Sequence, residues 1–123
     1  MRLLLDTHVL LWWLADDRRL SDEHRALIAD ASNVVLVSSM TVAEIAIKTS
    51  LGKLDAPDDL LPTLEAGGFD ELPFLSRHAD VLRNLPWHHR DPFDRMLIAQ
   101  AVTEELTVLT SDPHFAAYGV ELG

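Results

Sequence analysis

Unbroken apolar runs and helically spaced apolar positions take turns along this chain. RLLLD (2–6) carries its leucines without alternation, the mark of a short strand buried on both faces. THVLLWWLA follows at once and suits a helix, with Thr7 a candidate cap. Ser21 opens a second helix, DEHRALIADA, with acids in its first turn. NVVLVS (33–38) is the next strand. Ser38, Ser39 or Thr41 caps a helix on which Val42, Ile45, Ala46 and Thr49 share one face and Gly52 is the stop. Residues 55–68, DAPDDLLPTLEAGG, read as a helix with proline punctuation and a double-glycine end, and FDELPF (69–74) as a short strand. Ser76 starts the helix SRHADVLRNL, Pro86 to Arg90 form a loop, and HRDPFDRMLIAQA (89–101) opens a long helix reaching about Glu105. LTVLT (106–110) is a strand, DPHFAAYG a turn with one helical turn, and VEL a last edge strand. The alternation predicts an α/β fold with a mostly parallel sheet, because parallel neighbours need helical crossovers.

Length adds one constraint. At 123 residues, without repeats, low-complexity tracts or an internal boundary, the expectation is a single domain over 1–123 with a core of its own. The absence of cysteine excludes disulfides, thiolate metal sites and a cysteine nucleophile, and is compatible with a cytoplasmic setting. The apolar run Val9 to Ala15 is far too short to span a bilayer, and it follows Asp6 and His8 without a basic leader, so neither a membrane segment nor a signal peptide is expected.

Charge changes the picture more. Twenty acids against ten Lys plus Arg leave a net charge of −10, which suits neither a nonspecific nucleic-acid binder nor a polyanionic substrate. Two arrangements would reconcile that charge with a polyanion: acids clustered around divalent cations, or bases gathered on one face. In open parallel sheets, sites collect at the carboxyl ends of the strands. Asp6 ends the first strand, Asp112 ends LTVLT, and Glu44 lies early in the helix after VVLVS. Asp94 stands in the first turn of the long helix, entered from a loop. Each has a plain structural reading. Asp91-Pro92-Phe93-Asp94 fits an N-cap, a proline at N1 and an acid at N3. Asp6 could cap its helix, Asp112-Pro113 could start a turn, and Glu44 could face solvent. Together they say more: two carboxylates at about 4 Å repel by roughly 4 kcal/mol at an effective dielectric near 20, so three or four converge only around a counter-ion. All-oxygen ligands, with no HxH or HExxH pair, point to Mg²⁺ or Mn²⁺.

LLLDTHVLLWWL, AEIAIKTSLGKL, HRDPFDRMLIAQA and LTVLTSDPHFAAYGV, in that order and over nearly the whole chain, resemble the motifs of PIN-domain ribonucleases, above all the VapC toxins of type II toxin–antitoxin pairs. The resemblance implies a three-layer α/β/α sandwich with a short, mostly parallel central sheet. It also implies a Mg²⁺- or Mn²⁺-dependent endoribonuclease that hydrolyses phosphodiester bonds in RNA, often at one place in a structured RNA such as tRNA. Residue by residue, Asp6, Glu44 and Asp94 match the core acids and Asp112 the fourth; Asp94 and Asp112 keep the family's usual separation of eighteen positions. Asp6 and Asp94 would hold the principal ion, with Glu44 and Asp112 completing the set. Asp91 belongs to the DPFD variant of the third motif and is secondary. Many relatives carry Trp before the glutamate of the second motif where this chain has Ala43, a change that removes no ligand. A homodimer neutralised by a cognate VapB-like antitoxin is further implied.

Thr7, Lys48 and Arg95 are the candidate substrate contacts, with Arg90 beside them. Lys48, one turn after Glu44, could equally pair with it, and Thr7 could serve a carboxylate instead. His88 and His89 lie in a loop without a partner motif and are not expected to act, whereas His8 and His114 adjoin site acids. Trp12 and Trp13 point about 100° apart on a helix and are read as core or interface rather than base-stacking residues. Two rivals remain. A haloacid-dehalogenase-like phosphatase also begins strand–Asp, but it wants a second acid where this chain has His8. A non-catalytic interaction module would use an acidic pocket without cutting RNA.

Overall fold

The computed structural model describes residues 1–123. Its centre is a four-stranded, all-parallel sheet of β1 (Arg2–Leu5), β2 (Val34–Ser38), β3 (Asp70–Leu72) and β4 (Thr107–Leu109), in the order β3-β2-β1-β4. Leu3 stands opposite Val35, Leu4 opposite Val108, and Val37 opposite Glu71. The helices are α1 (Thr7–Leu14), α2 (Asp22–Ala29), α3 (Ser39–Ser50), α4 (Leu60–Ala66), α5 (Ser76–Val81) and α6 (Pro92–Glu104).

Strand side chains alternate between faces, and here both faces are covered, so the unbroken leucine run is explained by burial on each side. Leu3, Leu5, Val35, Val37 and Leu109 face a cluster with Val9 and Leu10 of α1, Ile28 of α2, Ile45 of α3 and Leu64 of α4. Leu4, Leu36, Leu72 and Val108 face the other way, onto Leu97, Ile98 and Ala101 of α6 and Phe115. The result is the expected sandwich of helices, sheet and helices. Each fully buried Leu or Ile contributes about 1.5–3 kcal/mol of apolar burial. No helix is long and apolar enough to cross a membrane.

The sequence expectations need four local corrections. Thr7 does not cap α1; Asp6 does, leaving the Thr7 hydroxyl free for another partner. The helix expected over 55–68 is confined to Leu60–Ala66, since Pro57 biases the residue before it toward extended backbone and 55–59 carry no apolar period. The helix from Ser76 stops at Val81 and tightens into a 3₁₀ turn over Leu82–Asn84. VEL makes only an isolated bridge: the Val108 N–H donates to the Glu121 carbonyl at 2.8 Å, closing the free edge of β4. Gly52, with φ +71°, ends α3 as expected.

Candidate metal centre

The strand order gives the sheet a topological switch. From β1 the chain moves outward to β2 and β3, then returns to place β4 on the other side of β1. Crevices for ligands open beyond the carboxyl ends of strands at such a point. Asp6 sits there. Its N–H extends the ladder to the Leu109 carbonyl (3.1 Å), its Oδ1 caps α1 by accepting the Val9 N–H (2.7 Å), and its Oδ2 accepts the Thr110 hydroxyl (2.5 Å). Asp112 is set just past β4 by its N–H, which donates to the Thr110 oxygen at 3.0 Å. Thr110 thus ties both acids to one turn.

The start of α6 divides its two aspartates by task. Asp91 is the N-cap; its Oδ1 accepts the N–H of Phe93 at 2.9 Å and of Asp94 at 3.3 Å. That is the helix-starting role the sequence offered. The Asp94 carboxylate has no part in the cap and instead meets the His89 ring, with Oδ2 at 2.9 Å from Nε2. Glu44, buried on α3, is held at both oxygens: Thr7 donates to Oε1 at 2.6 Å and Lys48 to Oε2 at 2.5 Å. Lys48 therefore pairs within its own helix, at the edge of the site. Thr7, expected as a substrate contact, is buried and has its hydroxyl on a carboxylate instead.

Electrostatics record how tightly the acids crowd. Burial first, then the charge of Asp91 and those of Asp6 and Glu44, push Asp94 up to about 7, against the pull of His89. Burial also raises Asp6, opposed by the Thr110 and Val9 hydrogen bonds and aided by the charge of Asp112. Burial would raise Asp112 as well, but hydrogen bonds from the His114 backbone and ring and from His89 carry it below the usual carboxylate value. Lys48 is held above its ordinary value by its hydrogen bond to Glu44, against some burial.

Two further residues depart from their sequence reading. His89, expected to be an idle loop histidine, bridges two candidate acids, with Nε2 also 2.8 Å from Asp112 Oδ2. Its Nδ1 accepts the Asp91 N–H at 3.2 Å, so the neutral ring carries its proton on Nε2 and faces the acids as a donor. Arg95, expected to meet phosphate, is 4% exposed and turns inward. Its guanidinium donates to the carbonyls of Leu85, Pro86 and His89 and to the Tyr118 hydroxyl, so its five donors are largely spent on the loop before α6. Only the placement of His89 two residues before DPFD hinted at its role; no periodic pattern marks a loop ligand.

The donor set fits a hard divalent cation. Carboxylates from the end of β1, α3, α6 and the end of β4 come to one edge, and the raised protonation of Asp94, set first by burial and then by Asp91, Asp6 and Glu44, includes negative charge a cation would relieve. The carboxylates themselves stand apart: no three of Asp6, Glu44, Asp94 and Asp112 bring oxygens within 4.8 Å of one another, whereas His89, Asp112 and His114 place one donor atom each within that distance. With the His89 proton on Nε2, that nitrogen-rich set is a hydrogen-bonded clasp rather than the better cage. Trp12 and Trp13 pack against the core, in line with the structural reading.

The fold has solved counterparts. VapBC from Salmonella typhimurium bound to DNA superposes with a TM-score of 0.71 at 18% identity, covering 99% of this chain and 96% of that one. VapBC2 from Rickettsia felis, bound to a promoter DNA fragment, gives 0.70 at 15% identity over 99% and 96%. FitAcB from Neisseria gonorrhoeae gives 0.63 at 24% identity over 98% and 95%. No curated protein sequence matches the chain. The PIN domain family model, however, matches residues 3–121. With that match spanning almost every residue, the chain belongs to the PIN domain family.

Proposed function

We propose that this protein is a metal-dependent endoribonuclease of the VapC type, a toxin that hydrolyses phosphodiester bonds in RNA, tRNA among the candidates, and is silenced by a cognate VapB-like antitoxin. The observation that carries the reading is the mutual charge effect of Asp6, Glu44, Asp94 and Asp112 beyond the strand ends of a PIN chain: Asp94, pushed up to about 7, feels Asp6 and Glu44, and Asp6 feels Asp112. Asp6 and Asp94 would hold the principal Mg²⁺ or Mn²⁺ ion, and Glu44 and Asp112 would complete the set; Asp91 starts the helix that delivers Asp94. Such an ion, when bound, lowers the pKa of a water and shields charge on a leaving oxygen.

The chain's own residues do the positioning. Thr110 and the Val9 N–H fix the rotamer of Asp6, Thr7 and Lys48 fix Glu44, and His89 keeps Asp94 and Asp112 in register. Support for a protein partner comes from the VapBC complexes that share the fold and from a groove of about 450 Å³ lined by Val42, Ile45, Ala46, Leu60 and Leu61. Exposed Ile47 and Leu51 lie on the same helix, α3, and just past its end. Such apolar surface suits an antitoxin segment, with a second copy of the chain completing a homodimer.

The test is RNA cleavage in Mg²⁺ or Mn²⁺ against the same reaction in chelator, with Asp6→Asn alongside. Cleavage that needs the metal and falls by roughly 100-fold or more in Asp6→Asn is expected, the scale of losing a ligand that orients the ion. Equal cutting by Asp6→Asn, or undiminished cutting in chelator, would remove the nuclease reading.

A further inference from the structure

Trp87 stands outside every role described so far. It is 74% exposed, the most exposed large apolar side chain in the molecule. Exposed tryptophans are usually free to swing, but this one is braced. The Arg95 guanidinium lies over its ring, 3.7 Å from the centroid. Arg95 is itself buried and fixed by the carbonyls of Leu85, Pro86 and His89. One face of the indole is therefore clamped on a cation, and no other aromatic ring stacks on it, leaving the opposite face to solvent.

The surroundings say what that face meets. Trp87 is two residues from His89, so their Cα atoms lie at most about 7.6 Å apart, and His89 touches Asp94 and Asp112. Arg95, beneath the indole, directly follows Asp94 in α6. Arg90, on the same loop, is exposed and enters no ion pair, in a chain whose net charge is −10. A rigid aromatic face, a free arginine and an acidic metal centre thus share one short loop. A flat π surface beside a cation suits an unpaired nucleobase with its phosphate, since every base has a face that can stack. A protein contact would want several apolar side chains beside the indole; along this exposed loop Pro86 is the one apolar neighbour in sequence, and His88 and Arg90 are polar.

We infer that Trp87 is a stacking platform for one unpaired base of the RNA next to the scissile linkage, with Arg90 contacting the adjoining phosphate. The inference rests on the nuclease reading and names the substrate feature that site takes: a single-stranded stretch with an accessible base. It makes Arg95 a positioning residue, acting through the ring it supports.

The test uses the full chain with Asp94→Asn to prevent cutting, and a short unstructured oligoribonucleotide as the probe. RNA binding, followed by indole fluorescence and by anisotropy of labelled RNA, is expected to quench the emission. Trp87→Leu, which keeps an apolar cover over Arg95 but has no π face, is expected to weaken binding roughly 5- to 150-fold, the range of one stacked base. Trp87→Phe should stay within about threefold of the parent, since its ring still stacks. An abasic position in the strand should cost the parent as much and cost Trp87→Leu little more. Unchanged affinity in Trp87→Leu overturns the inference, as does a change confined to self-association in sedimentation. Parent protein that neither binds the probe nor cuts RNA in Mg²⁺ or Mn²⁺ ends the nuclease reading and this inference with it. Parent that cuts, beside a Trp87→Leu variant of equal affinity, ends this inference alone.

Discussion

At the residue scale, Asp94 holds the sharpest expectation. Its ordinary value is 3.8 and in the folded chain it is pushed up to about 7, by burial and then by Asp91, Asp6 and Glu44. The unfolded chain gives up this proton near pH 4, the folded chain only near pH 7. Between those values the folded state binds more protons, so metal-free stability falls as pH rises. The stabilisation from the retained proton is complete below about pH 4 and gone once pH passes about 7. Asp94→Asn removes the titration. In chelator its stability relative to the parent should rise from near zero at about pH 4 to a gain of about 1–3 kcal/mol at pH 8, discounted for the part of the carboxylate that water screens. Urea unfolding across that range measures it. Because Asp91 and not Asp94 caps α6, a loss at pH 8 would contradict the crowding account. Asp91 and Asp94 also show where the sequence reached its limit: DPFD offered both a cap and a ligand, and only the cap hydrogen bonds tell which carboxylate does which.

At the element scale, the segment from Leu85 to α6 behaves as one fastened unit. The planar fork of Arg95 reaches three carbonyls and the Tyr118 hydroxyl, and Tyr118 in turn accepts the His89 N–H at 2.8 Å. A lysine offers a point charge without that fork. Arg95→Lys is therefore expected to destabilise the fold by about 2–4 kcal/mol, leaving the buried Leu85 carbonyl and the part-buried carbonyls of Pro86 and His89 poorly met. It should also speed hydrogen exchange in residues 86–90 more than in β1 or α1. Uniform exchange with no loss of stability would return Arg95 to the phosphate-contact role its place in the motif first suggested. The sequence placed most elements well because their signals are local: apolar runs for β1, β2 and β4, Ser21 and Asp91 caps, and a left-handed glycine after α3. It overextended α4, where two prolines and three aspartates hid inside an apparently helical window.

At the scale of the whole molecule, four acids spread over more than a hundred positions come together only because β1 is flanked by both β2 and β4. The edge position of Asp6, Glu44 and Asp112 was legible, since strand ends and the helix starts after them share one edge of a parallel sheet; that of Asp94, on a helix entered from a loop, did not follow from topology. His89 and Arg95 were not legible, because a loop has no period and the inward turn of an arginine depends on carbonyls brought near by the tertiary fold. An acidic cluster that binds Mg²⁺ or Mn²⁺ only when folded should gain stability with the ion, by about 2.7 kcal/mol at one hundred times the dissociation constant. Loss of that gain in Asp6→Asn would tie it to the site. The most direct measurement is anomalous diffraction from crystals of the protein soaked in Mn²⁺. A peak between the carboxylates of Asp6 and Asp94, with oxygen ligands at about 2.0–2.3 Å, is the predicted result. No peak among Asp6, Glu44, Asp94 and Asp112 at saturating Mn²⁺ would contradict the account.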